Sequence, residues 1–163
     1  MSEQKKILVA CFSAGGTTAK LARLIAAETG GTLYEIAPAA PYTAADLDWN
    51  DKQSRSSREM ADAAARPALA APPPAALGDC GTVLLGFPIW WYEAPRIIES
   101  FLDSGDFAGK TVIPFATSGG SGMGKTAAHL RAVCPQARWR EGRRFAPGAG
   151  RAEVRAWLDE LGL

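Results

Sequence analysis

The stretch Ile7-Leu8-Val9-Ala10-Cys11-Phe12-Ser13-Ala14-Gly15-Gly16-Thr17-Thr18 decides the fold class. Its first half is apolar without polar alternation, which suits a strand covered on both faces, as in a parallel sheet. The run stops at small residues, and Leu21, Leu24 and Ile25 follow at helical spacing. Working outward, apolar and β-branched runs recur at residues 32–36, 82–87 and 111–115. Helical spacing returns at Ile97, Ile98, Phe101 and Leu102, and again at Val154, Trp157, Leu158 and Leu161. Strand and helix alternate, so the economical architecture is α/β, a single open, doubly wound parallel sheet built from right-handed crossovers.

Ligands in open parallel sheets collect at the carboxyl ends of the strands, and three such ends are distinctive here. The first, residues 13–18, joins glycines to the hydroxyls of Ser13, Thr17 and Thr18 at the start of a helix. Backbone N–H groups and a helix dipole converging there suit a phosphate; a tight turn capped by Thr17 accounts for the same composition. The second is Pro88-Ile89-Trp90-Trp91-Tyr92, followed by Glu93, Ala94 and Pro95. Its rings offer a stacking wall for a planar heterocycle or, alternatively, a hydrophobic lid on the sheet. The third is Ala116-Thr117-Ser118-Gly119-Gly120-Ser121-Gly122, where glycines allow close backbone approach to the polar edge of a flat ligand. A phosphate turn, an aromatic wall and a glycine shelf together describe a flavin mononucleotide (FMN) site. The candidate cofactor-binding residues are Ser13, Gly15, Gly16, Thr17, Thr18, Pro88, Ile89, Trp90, Trp91, Thr117, Ser118, Gly119, Gly120 and Gly122.

These motifs resemble the flavodoxin family, in the variety marked by Pro88-Ile89-Trp90-Trp91 and the later 117–122 turn. Supporting stretches are residues 7–18, 86–95, 101–110 and 113–124, so the resemblance spans nearly the whole chain. It implies five parallel strands in the order 2-1-3-4-5 with noncovalent FMN at the switch point. It also implies electron transfer to redox partner proteins or a small-molecule acceptor. An NAD(P)H-dependent, FMN-containing reductase of quinones or similar acceptors is the alternative on this fold. The absence of a second G-x-G-x-x-G fingerprint after a strand leans toward the electron carrier. The family's phosphate loop usually reads T/S-x-T-G-N-T, and this chain has Gly15 and Thr17 where that pattern has Thr and Asn. One hydroxyl and one side-chain amide are thereby replaced, leaving the backbone donors.

Other features bound the function. Eighteen Lys and Arg against seventeen Asp and Glu give a formal net charge of +1, too balanced for a bulk attraction to nucleic acid. Residues 138–145 interleave arginines with Trp139 and Phe145, which reads as a solvated edge strand rather than a nucleic-acid surface. Cys11, Cys80 and Cys134 form no C-x-x-C pair, so neither a disulfide framework nor a thiolate metal site is expected, and a cytoplasmic location fits. No apolar run approaches the length that crosses a bilayer. The single histidine, His129, reads as a surface or helix-end residue. Residues 119–126 match the G-x-x-x-x-G-K-[ST] phosphate motif, but no apolar strand ends in the aspartate that a triphosphatase needs for magnesium. Residues 1–163 read as one domain with a long Ala- and Pro-rich excursion at 38–80, which contains one short helix near residues 57–65 and carries Tyr42, Trp49 and Arg55 for docking.

Overall fold

The computed structural model describes residues 6–119, 123 and 126–163. Strand β1 (Lys6–Cys11) passes through helix α1 (Thr17–Thr29) to β2 (Thr32–Glu35) at one side of the sheet. The excursion follows, with α2 (Arg55–Ala61) and α3 (Ala75–Asp79), before β3 (Cys80–Pro88) returns to the other side of β1. Helix α4 (Arg96–Ser104), β4 (Thr111–Thr117) and α5 (Thr126–Val133) come next, then β5 (Arg138–Trp139), β6 (Arg143–Phe145) and α6 (Arg151–Leu161). Among the described residues the six strands pair in parallel, in the order β2-β1-β3-β4-β5, with β6 also beside β4.

The unbroken apolar runs are explained by burial on both faces. Val9, Cys11, Leu84, Ile113 and Phe115 pack beneath α1 and α6, against Leu21, Ile25, Trp157 and Leu158. Leu8, Ala10, Val83, Leu85 and Val112 face the opposite layer, where Ile97, Ile98, Phe101 and Leu102 of α4 are buried. The chain reverses direction in the sheet between β1 and β3, which puts the topological switch point at their carboxyl ends.

Gly86 makes this packing possible. A Cβ there would lie 2.2 Å from Cζ of Phe115, whose ring is fully buried across the adjacent strand. The Gly86→Ala variant is therefore expected to lose about 1–3 kcal/mol of stability through overpacking. Urea unfolding with an unchanged slope and a lower midpoint would verify this; an unchanged midpoint would mean that Phe115 moves aside freely.

The fifth position of the sheet differs from one continuous edge strand. The carbonyls of Lys110 and Val112 accept hydrogen bonds from Arg138 and Arg140, so Pro114, two residues on, turns its missing N–H toward the same edge. The ladder breaks there, and pairing resumes at Phe115 with Arg143. Gly142 fits the gap because a Cβ would meet the Pro114 carbonyl oxygen at 2.1 Å. The edge arginines fold back on the chain: Arg140 donates to the Leu161 carbonyl, Arg144 to that of Ser118, and Arg143 pairs with Glu153. Among the described residues no helix is long and apolar enough to cross a membrane.

Candidate functional site

Three hydrogen bonds level the carboxyl ends of the strands. Phe12 N–H donates to the Gly86 carbonyl, Ile89 N–H to that of Thr117, and Ser118 N–H to that of Phe145. Above this floor the turns after β1, β3 and β4 enclose a cleft of about 310 Å³. Ser13, Gly15, Thr17 and Thr18 line it from the first turn, Pro88, Ile89 and Trp90 from the second, and Thr117 and Ser118 from the third. The other candidates lie as follows. Gly16 shapes the first turn, Trp91 faces a neighbouring compartment, and Gly119 is exposed beyond Ser118. Gly120 and Gly122 lie outside the described residues.

Within the first turn, Gly16 has φ 91°, a left-handed conformation that glycine adopts without strain. Its N–H donates to Ser13 Oγ at 3.0 Å, leaving the Ser13 hydroxyl proton for a ligand. Among the described residues no side chain caps the N-terminus of α1, so its leading N–H groups keep their hydrogen-bonding capacity. A Cβ at Gly15 would meet nothing within 4 Å, so the turn has open space beside it. Thr17 is exposed, whereas Thr18 is buried with Oγ1 2.7 Å from Thr117 Oγ1, a bond that ties the first turn to the third. Cys11, beneath this corner, is pushed up to about 12 by burial, with the Glu35 carboxylate adding and Arg23 partly opposing. A thiol held protonated in this way is no nucleophile.

The aromatic corner is more structured than a stacking wall requires. Trp90 and Glu93 exchange both backbone hydrogen bonds, at 2.9 and 3.0 Å, across a two-residue turn. The turn residues Trp91 and Tyr92 sit at φ 50° and 64°. Turns of this handedness ordinarily carry Asn-Gly, and a bulky residue held there is strained by about 1–3 kcal/mol. Thr126 Oγ1 holds the turn by donating to the Tyr92 carbonyl at 3.0 Å. That same hydroxyl is the one a triphosphate motif would aim at magnesium; Gly120, Ser121, Gly122, Gly124 and Lys125 of the motif lie outside the described residues. The Trp90 ring is half-buried, edge-on to Phe12 and Tyr42 at centroid separations of 5.7 and 5.6 Å. Tyr42 donates its hydroxyl to Glu59, carries Arg55 over its ring at 3.9 Å, and has its ionisation pushed up by burial and by that hydrogen bond.

One cluster anchors these parts. Arg96, only 3 % exposed, donates to the carbonyls of Glu59, Met60 and Asp62 where α2 ends. It also reaches Glu93 Oε1 at 3.3 Å and Glu99 Oε1 at 2.9 Å. The fully buried Glu99 accepts from His129 at 2.8 Å, on α5. Its other oxygen lies 2.9 Å from Arg66 Nη1 without hydrogen-bond geometry, because Arg66 donates that group to the Ala63 and Ala65 carbonyls. The attraction there is ionic alone. His129, expected at a surface or helix end, is partly exposed and helps connect α5 to α4.

Sequence reasoning did not single out Pro147, which closes the cleft from the loop after β6. Its signal was available, since Ala146-Pro147-Gly148 is the turn at the next strand end. Leu47, Trp49 and Ser56 of the excursion line a further cavity of about 410 Å³ that shares Ile89 and Trp90 with the cleft.

The flavodoxin family's sequence profile matches residues 6–161, nearly the full length. The chain belongs to the flavodoxin family. Solved structures agree. A Bacteroides eggerthii protein provisionally named a flavoprotein is 50% identical, with TM-score 0.92, over 98% of this chain and 99% of that one. A similarly named Bacteroides uniformis protein is 53% identical, also with TM-score 0.92, over 96% and 99%. A flavoprotein from Lactobacillus acidophilus solved in complex with FMN shares the fold at 21% identity, TM-score 0.70, over 94% and 99%. No curated protein sequence matches the chain. Membership of the flavodoxin family fits the strand order β2-β1-β3-β4-β5 and the cleft at its switch point.

Proposed function

We propose that this protein holds FMN in the cleft among the three strand-end turns and passes reducing equivalents between a donor and an acceptor. The observation that carries the reading is the convergence of Ser13, Thr17, Trp90 and Thr117, from three separate turns, on one space. The turn at residues 13–18 binds the phosphate through backbone N–H groups and the Ser13 and Thr17 hydroxyls. Lys20, one helical turn on, lines an adjoining cavity that shares Thr17, Thr117 and Pro147 with the cleft, and its positive charge acts on the turn from there. Trp90, braced by Phe12 and Tyr42, limits water on one side of the ring system, and the backbone at 117–119 meets its polar edge. When bound, FMN supplies reversible uptake of one or two electrons, and the residues around it tune that chemistry. In the flavodoxin family this arrangement serves an electron carrier, the reading favoured here.

A second reading, direct reduction of a small acceptor, is favoured by one observation. The aromatic compartment beside the cleft is a space that a carrier with an exposed flavin edge does not need. Reconstituted protein mixed anaerobically with NADPH or NADH separates the two. A carrier bleaches slowly with either nucleotide and rapidly with a cognate reductase protein. Fast, saturable bleaching by a nucleotide alone, followed by turnover with a quinone, would make the protein a reductase in its own right. Failure to retain FMN at all would remove both readings.

A further inference from the structure

We infer that the compartment walled by Trp49, Trp91 and Tyr92 is a second binding site, for a planar, carbonyl-bearing aromatic molecule. This deepens the small-acceptor reading above and rests on it for its purpose, though not for the binding itself.

Four large hydrophobic side chains stand out as exposed among the described residues, and three meet here: Trp49 at 70%, Trp91 at 45% and Tyr92 at 64%. Rings left in water at one spot mark an interaction site. The two cavities that they border, of about 410 and 530 Å³, share Trp49 and Trp91 and are both of ligand size. One wall comes from the excursion and the other from the left-handed turn, so the strained backbone is what aims Trp91 and Tyr92 at Trp49.

The lining chemistry selects the occupant. Among the described residues, the indole N–H groups and Lys52 can only donate, the Tyr92 and Ser57 hydroxyls and the Asn50 amide can donate as well as accept, and no carboxylate lines either cavity. Flat walls with donors around them fit a ring whose polar atoms are acceptors, that is, carbonyl oxygens. A dinucleotide is a poorer fit, since among the described residues Lys52 is the one cation in the lining and no glycine turn accompanies it for a pyrophosphate. The space is also far smaller than a macromolecular interface, which buries on the order of 1,200 Å² or more. Ile89 and Trp90 form the wall shared with the cofactor cleft, so an occupant lies next to the proposed flavin site without displacing it.

Calorimetric titration of the FMN-loaded protein with 9,10-anthraquinone-2-sulfonate, which cannot alkylate thiols, tests this. Saturable one-to-one binding is expected, with anthracene-2-sulfonate, which lacks the carbonyls, at least ~10-fold weaker. Trp49→Ala and, separately, Tyr92→Ala should each weaken the quinone ~10-fold while FMN affinity stays within twofold. Repeating the titration without FMN distinguishes the two proposals: binding to the apoprotein supports this site even if the flavin reading fails. No saturable binding in either form, equal affinity for the two sulfonates, or an unaffected Trp49→Ala variant would overturn it. So would sedimentation showing that the same rings are covered by a second copy of the chain.

Discussion

Apoprotein titrated in parallel with FMN and riboflavin is expected to bind FMN roughly a hundredfold to ten-thousandfold more tightly. Riboflavin offers the same ring but lacks the dianion. Each hydrogen bond to a charged group contributes about 1.5–3 kcal/mol, and two such bonds from the 13–18 turn give roughly 3–6 kcal/mol, at 1.4 kcal/mol per decade. Gly15 and Thr17 stand where the family pattern has a threonine and an asparagine, so the lower end of that range is the better expectation. The positive end of α1 and Lys20 act in the same direction, and raising the salt concentration should narrow the difference. Fluorescence titration at two ionic strengths measures all of this. Equal affinities would show that the turn does not hold a phosphate, and binding of neither ligand would end the flavin reading.

Arg96→Ala is expected to be the most damaging single truncation outside the hydrophobic core. It leaves the fully buried Glu99 carboxylate with Arg66 and His129 alone, and it strips the guanidinium from three carbonyls at the end of α2. Removing one partner of a buried pair costs about 3–5 kcal/mol, chiefly because the other charge stays behind. The loss is expected to be uneven across the molecule, since the sheet does not depend on this cluster while α2 and the 90–93 turn do. Urea unfolding should give the stability change. Limited trypsin digestion should then cleave first after Arg55 or Arg58, ahead of sites in α1 or α6. Glu99→Gln should be milder, because it keeps the shape and an acceptor and removes the charge that needs compensation. An Arg96→Ala variant as stable as the parent would show that the excursion is held by its apolar contacts instead.

Much of this was legible in the sequence for a definite reason. Strands buried on both faces appear as unbroken runs, so β1, β3 and β4 were bounded to within a few residues. The stripes of α1, α4 and α6 identify their inward sides in the same way. The three strand-end turns could be read because small and aromatic residues there are out of place in an ordinary connection. What escaped notice depends on pairs distant in the chain. Thr18 bonds Thr117 across 99 positions, and Glu99 meets His129 across 30. Neither contact leaves a periodic signal. Arg96 and Glu99 sit beside Ile97 and Ile98 in α4, and only the fold shows that these charges face carbonyls and counter-ions rather than water. The short α3 followed the Pro72-Pro73-Pro74 run and was hidden by it. The helix expected near residues 57–65 begins and ends earlier, at Arg55 and Ala61, because Ser54 caps it and Arg96 draws away its last carbonyls.

The interruption opposite Pro114 governs how this sheet can meet other chains. An open sheet presents two borders at which a foreign strand can add, and a long flat border invites runaway association. On the β5 and β6 side the border is two short pieces of two and three residues, offset around Gly142 and flanked by Arg138, Arg140, Arg143 and Arg144. A strand arriving there finds neither a continuous row of partners nor freedom from positive charge. Growth by strand addition is thereby left to the β2 border, where the four residues Thr32–Glu35 include the exposed Leu33.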